Sequence, residues 1–349
     1  MNRKLLIPVA VLLMVLASGC HRRPLYDPED LVMVKVVVDV KAITNVTEDI
    51  YNDKIAVPST ETDMLRVMVY DPETKNLLTQ SFVPFSNTNA YDEYGNRIFE
   101  GNLAISYGDY DFVIYNFDTP TTQIKNEPNE NQILAYTPEI SESGKTKYLG
   151  SRAGDYSNIA INEEPDHLMV AREHDIRVSP HDDIVVIETT AQTIVDTYYI
   201  QIHVEGMQYA TSGTAVITGL SPANYFGLND RVEDPTAAVC FPLQFSTDER
   251  LPGENKDVLC AVFNTFGKVN DATSDLHVTF NVTDTAGNLQ QRDINLDAVF
   301  KTEEAIEHHW LLIQETWEII NPQPGPTPSS GGFQPTVDDW EEEHGSIVL

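Results

Sequence analysis

Short β-branched runs that recur every eight to twelve residues, with turn residues between them, most constrain how this chain can fold. LVMVKVVVDV (31–40) alternates in part between apolar and polar positions, the period-2 pattern of a half-buried strand. MLRVMVYD (64–71), Pro72-Glu73-Thr74-Lys75-Asn76 and LLTQSFVPF (77–85) predict a hairpin around a turn of the right composition. IFEGNLAISYGDYDFVIYNFD (98–118) predicts two strands around Gly108-Asp109. It sets Tyr110, Phe112, Ile114 and Asn116 on one face and Asp111, Val113, Tyr115 and Phe117 on the other. Residues 119–166 are rich in Pro, Asn, Glu, Ser and Thr and predict long surface connections with a short strand or turn inside, and HLMVAREHDIRV (167–178) supplies a closing strand or two.

Ser179-Pro180-His181-Asp182-Asp183 is polar and stiffened by proline, and predicts a domain junction. The pattern then restarts with candidate strands at 183–190, 197–206, 214–220, 237–245, 257–266, 275–284 and 289–296. Thr285-Ala286-Gly287-Asn288 joins the last two as a hairpin turn. HWLLIQETWEII (309–320) alternates as a strand rather than repeating as an amphipathic helix. The expected fold is all-β: two transthyretin-like or immunoglobulin-like β-sandwich domains in tandem, 31–181 and 182–320.

The first twenty residues have a different character. Arg3 and Lys4 precede an apolar run, Leu5 to Leu16, and Ala17-Ser18-Gly19 lead directly into Cys20. That is a secretory signal (1–19). Its run is shorter than the roughly 20 apolar residues of a spanning helix. Removing residues 1–19 from 349 leaves 330, more than one core usually holds, behind a short polar tether at 20–30. Export to an oxidising compartment permits a disulfide between Cys240 and Cys260, each in an apolar run; the alternative is two buried thiols acting as small hydrophobes. At the other end, 321–349 begins as a Pro/Gly/Ser linker and finishes as TVDDWEEEHGSIVL. That tail is either a solvated acidic terminus or a short segment that docks on another chain through Phe333, Val337 and Trp340.

Lys and Arg number 22 against 54 Asp and Glu, a net charge of −32 that repels phosphate backbones and argues against nucleic-acid partners. Nothing in the chain matches a nucleophile elbow, a zinc motif, a P-loop or a dinucleotide fingerprint, so no enzyme, metal or cofactor is expected. His167, His174 and His181 recur every seven residues, but on strand and loop that spacing does not converge, and His308-His309 reads as surface. DDWEEE lacks the glycine-bearing twelve-residue calcium loop.

The residues CHRRPLYD after the lipobox, the valine-rich strand, SYGDYDFVIYNFD, GMQYATSGTAVITGLSPANYFG, VTFNVTDTAGNLQQRDINL and the ending GGFQPTVDDWEEE together resemble the fimbrillin-associated lipoproteins of Bacteroidales. These are the anchor and accessory subunits of type V pili. The resemblance implies acylation at Cys20, outer-membrane attachment, two transthyretin-like sandwiches, and contacts with other pilus subunits by strand exchange. Surface-displayed members carry acidic residues after the cysteine; His21-Arg22-Arg23 here leaves both membrane faces open. Stalk subunits of the family lose an N-terminal segment to a protease, commonly Arg-specific; Lys41 and Lys54 leave room here for a protease of another specificity. No arginine lies between Arg23 and Arg66, so the 31–40 strand is expected to stay and the chain to anchor. The alternative function is a surface glycan-binding lipoprotein, which needs an aromatic platform such as Tyr91, Tyr94, Tyr107 and Tyr110 could provide.

Overall fold

The structure, a computed structural model, describes residues 31–40, 62–85, 91, 96–117, 119–149, 159–234, 237–270 and 276–322. Cys20 and the tail residues Phe333, Val337 and Trp340 lie outside them, as does all but the first two residues of the 321–335 linker. The protein is all-β, with two β-sheet domains each curled nearly closed on itself like a barrel.

The N-terminal strands are β1 (Leu31–Val40), β2 (Met64–Tyr70), β3 (Leu77–Pro84), β4 (Arg97–Ser106) and β5 (Gly108–Asn116). An insert follows: β6 (Gln123–Lys125), β7 (Leu134–Tyr136), helix α1 (Glu142–Leu149) and β8 (Ala160–Asn162). Next come β9 (Met169–Val178) and β10 (Ile184–Thr193). The second half holds β11 (Asp196–Glu205), β12 (Ala210–Thr218), β13 (Ala223–Tyr225), β14 (Asp230–Arg231) and β15 (Ala237–Thr247). It ends with β16 (Asp257–Thr265), β17 (His277–Asp284), β18 (Leu289–Asn295), helix α2 (Glu303–His308) and β19 (Trp310–Glu318).

The first sheet runs β3-β2-β5-β9-β10-β1-β4, the second β18-β17-β12-β15-β16-β11-β19, with β8 added beside β15. Strand β10 therefore belongs to the first sheet, paired with β9 and in parallel with β1. The junction expected at 179–183 is instead a loop within the N-terminal sheet, and the crossover falls at residues 194–195. Polar composition marked a turn correctly but could not say which sheet the next strand would join, because pairing partners are set by tertiary packing.

A second correction concerns 119–166. Rather than running over the surface, it buries Ile133, Ala135, Ile140 and Ile161. Strands β6 and β7 pair with β13 and β14 into a four-stranded sheet made from both halves of the chain. The reason is visible on β5, whose two faces both carry apolar residues. Tyr110, Phe112 and Ile114 fill the first barrel, while Val113 and Tyr115 pack outward on Ile133, Ala135 and, from the second half, Phe226 and Phe266. A strand apolar on both faces needs a cover on each, and the insert supplies the second. The C-terminal core is separate, built around Phe241 and Phe263, whose rings stack at 4.4 Å, with Ile200, Phe280 and Trp317.

Candidate functional site

Two features of the strand order stand out as candidate contact sites: the seated first strand and the end strands of each sheet. Val32, Val34, Val36, Val38 and Val40 all point inward and are buried. Each contributes roughly 1.5–3 kcal/mol as an upper estimate. The backbone of β1 is paired on both sides: antiparallel to β4 from Leu31↔Ser106 to Val40↔Arg97, and parallel to β10 from Met33↔Ile184 to Val40↔Ala191. Its removal would open a groove between β10 and the end strand β4.

Each barrel closes at a seam between its end strands. In the first, β3 approaches β4 so closely that a Cβ on Gly101 would lie 2.4 Å from Val83 Cγ2. The Phe85 and Phe99 rings pack alongside in a tilted pair at 5.4 Å, and the Arg97 guanidinium covers Phe85 at 4.1 Å while donating to the Thr62 carbonyl. In the second, the seam between β18 and β19 is bridged by side chains. The Gln290 amide donates to the Ile320 carbonyl at 2.8 Å and accepts from the Ile320 N–H at 2.8 Å, and Arg292 pairs with Glu315. Exposed bonds of this kind are worth about 1 kcal/mol each. End strands of a sheet carry backbone groups able to pair with an added strand. Asp284 organises the β17–β18 turn by accepting from the Ala286 and Asn288 N–H groups, and backbone Gly287 takes φ +81°.

One buried charge cluster was not foreseen. Lys75, at φ 59° in the β2–β3 turn, sends its ammonium between Asp111 and Glu130, 3.3 Å from the latter. The Asp111 carboxylate also accepts from the Asp175 N–H at 2.9 Å, and His174 Nδ1 lies 3.4 Å from Glu130. Burial pushes Asp111 up, but the bonds from Lys75 and Asp175 outweigh it and hold the carboxyl below its usual range; burial and the Asp111 charge raise Glu130. The oxygens and nitrogen of Asp111, Glu130 and His174 are mutually close enough to ligate an ion. The Lys75 ammonium already sits there, so the cluster works as a clamp that pins the insert to the first sheet.

A second polar network crosses the junction. His167 bonds the Thr193 and Thr197 hydroxyls at 2.9 and 3.1 Å, Thr197 donates to Asn264, and the Asn264 N–H donates to Glu164 at 2.9 Å. Burial, with Asp166 nearby, pushes Glu164 up to about 7, and burial pushes His167 down to about 4.

The three histidines spaced by seven are kept apart in these two networks and, for His181, in an exposed loop. His308 stacks on Trp310 and His309 on Tyr198. Cys240 and Cys260 are both free. Although β15 and β16 are neighbours, Cys260 pairs with Gln244, four positions from Cys240, and the two thiols lie in different clusters. Burial pushes them to about 12 and about 11. No aromatic platform forms from the named tyrosines: Tyr110 is buried, and Tyr91 and Tyr107 stand at opposite ends of β4. Tyr94 lies outside the described residues. An open polar cleft of about 800 Å³ lies between the halves, and several of its charged groups are already engaged: Arg231 with Asp196, Arg172 with the Phe226 carbonyl and Glu173 with the Thr189 hydroxyl.

The arrangement defines an all-β protein of two nearly closed β-sheet domains. The chain belongs to the family described as a domain of unknown function, DUF5119, which matches residues 19–241. It resembles fimbrial anchors and adhesins of Bacteroidales. Fim4B of Bacteroides ovatus, provisionally named as a fimbrium anchoring subunit, is 22% identical over 267 residues, 70% of this chain and 75% of that one. A crystal structure of a provisionally named adhesin from the same species matches with a TM-score of 0.57 at 16% identity, covering 88% of this chain and 99% of that one; it establishes the fold. The fimbrial anchor protein Mfa2 from Porphyromonas gingivalis matches with a TM-score of 0.44 at 13% identity, over 79% and 87% of the two chains.

Proposed function

We propose that this chain is a non-enzymatic anchoring subunit of a fimbria, acylated at Cys20 and held at the outer membrane. The observation that carries the reading is its similarity to Fim4B along 70% of its length. The seated first strand supports the anchoring role over that of a polymerising subunit. A strand buried by five valines and paired on both sides cannot accept a donor while it remains. With no arginine from 24 to 65, an Arg-specific protease has no site at which to release it. Partner contacts then fall on a strand edge, of which the β18–β19 seam has the weaker closure, or on the tail around Phe333, Val337 and Trp340. Each curled sheet is, in this reading, a transthyretin-like sandwich.

The test is affinity capture of the acylated protein from its own envelope, with mass-spectrometric identification of what comes with it. Recovery of fimbrial subunits, lost or reduced on deleting 333–349 while the melting curve is unchanged, is the expected result. Recovery of polysaccharide-uptake proteins and no fimbrial subunit would favour the glycan-binding alternative.

A further inference from the structure

Five large apolar side chains are exposed together at one end of the first barrel. Leu31, Met33, Tyr107, Ile184 and Val186 are each 41–58% exposed. Register shows that they share one rim. Met33 pairs with Ile184 and Lys35 with Val186 on adjacent parallel strands, and Leu31 pairs with Ser106, the residue before Tyr107. The inward positions between them, Val32 and Val34, belong to the core, so this outward set is surplus to folding. Scattered surface hydrophobics need no explanation, but a contiguous set marks an interaction site.

Chain direction says what the rim faces. Strand β1 starts there, and only residues 21–30 separate it from Cys20. Ten residues span at most roughly 35 Å. The opposite end of the barrel, about 30 Å away along a ten-residue strand, is where β10 ends and β11 leads into the C-terminal domain. The apolar rim is thus next to the start of β1 and at the end of the barrel away from the β10–β11 connection.

Resting on the acylation of Cys20 proposed above, we propose that this rim seats on the lipid surface, with Leu31, Met33, Ile184 and Val186 in the headgroup–acyl boundary and Tyr107 at headgroup level. Tyrosine is favoured at that depth. Lys35, paired with Glu100 at 3.2 Å, can keep its ammonium in water while its stem covers apolar surface. Asp109, Asp182 and Asp183 near the rim oppose deep insertion, so the acyl anchor supplies the hold and the rim sets orientation.

The test uses full-length acylated protein purified from envelopes and reconstituted in phosphatidylethanolamine–phosphatidylglycerol vesicles. Nitroxide labels are placed at Ile184→Cys and, as a control, at the exposed Thr285→Cys in the β17–β18 turn; the buried native thiols stay unlabelled. The label at 184 should show a several-fold higher ratio of oxygen to nickel-chelate accessibility than the label at 285. Equal, water-like accessibility at both sites on vesicle-bound protein overturns the proposal. So does shielding of 184 from both reagents, which would mean that a protein covers the rim. Failure of the chain to float with the vesicles refutes acylation at Cys20 and the rim proposal with it, whereas the first two outcomes leave the anchoring reading intact.

Discussion

The two barrels close their sheets in different ways. The N-terminal sheet brings β3 to β4 through a glycine, a valine and a pair of phenylalanines, a dry seam beside a first strand held by ladders on both sides. The C-terminal sheet brings β18 to β19 through the Gln290 amide and the Arg292–Glu315 surface ion pair. Dry packing is lost all at once, whereas a few exposed side-chain bonds open at little cost. The contrast separates the barrels by how readily they open: the first sheet is closed by packed side chains, the second by a few exposed bonds.

The largest effect should come from breaking the first barrel at its first strand. Val36→Asp places a charge at a position with no solvent exposure and should cost more than 4 kcal/mol, unfolding the N-terminal sheet. Urea melts followed by the Tyr signal and by hydrogen exchange of β1 would report it, and near-native stability would remove β1 from the core.

The junction should respond to pH. Glu164 has a folded value raised from 4.5 to about 7, so between those pH values the folded state keeps a proton that the unfolded chain has lost. Its contribution is therefore most favourable below pH 4.5 and declines as pH rises through 7. His167, lowered from 6.5 to about 4, acts in the opposite sense: its neutral form favours the fold above pH 6.5, and that contribution is lost as pH falls toward 4. Glu164→Gln removes the first effect and can still accept from the Asn264 N–H. It should stabilise the protein on the order of 2 kcal/mol at pH 8 and little at pH 4.5. Thermal melts of both proteins across pH 4.5–8 check the trend; a constant difference would mean that Glu164 is not desolvated.

A smaller effect is expected at the wet seam. Gln290→Ala should cost about 1 kcal/mol and speed hydrogen exchange in 289–295 and 310–320, leaving 31–40 unchanged. Equal acceleration in β1 would show that the two barrels open as one unit and would dissolve the comparison.

Much of this was legible beforehand because alternation is a local property. The strands at 31–40, 64–70 and 289–295, the two faces of β5 and the strand at 310–318 all follow from side-chain period. What could not be read depends on partners distant in sequence. Strand β10 looked like the start of a new domain because nothing in IVVIETT shows that it will pair with β1. The insert looked solvated because its apolar residues are sparse, yet Ile133 and Ala135 meet the outward face of β5 while Ile140 and Ile161 pack on Val216 and Ala238 of the second half. Asp111 and Glu130 were lost among 54 acidic residues; a lysine ending a turn opposite them was the signal, and only the fold brings it there. The Cys240–Cys260 pairing fails on register, which apolar runs do not encode.

The central claim is that the first strand remains in place and the chain stays tethered through Cys20. Intact mass and N-terminal peptide analysis of the protein taken from outer membranes tests it directly. The account predicts a mature chain beginning at an acylated Cys20 and containing all of 31–40. A mature chain that begins beyond Val40, its first strand gone and its groove open, would contradict it.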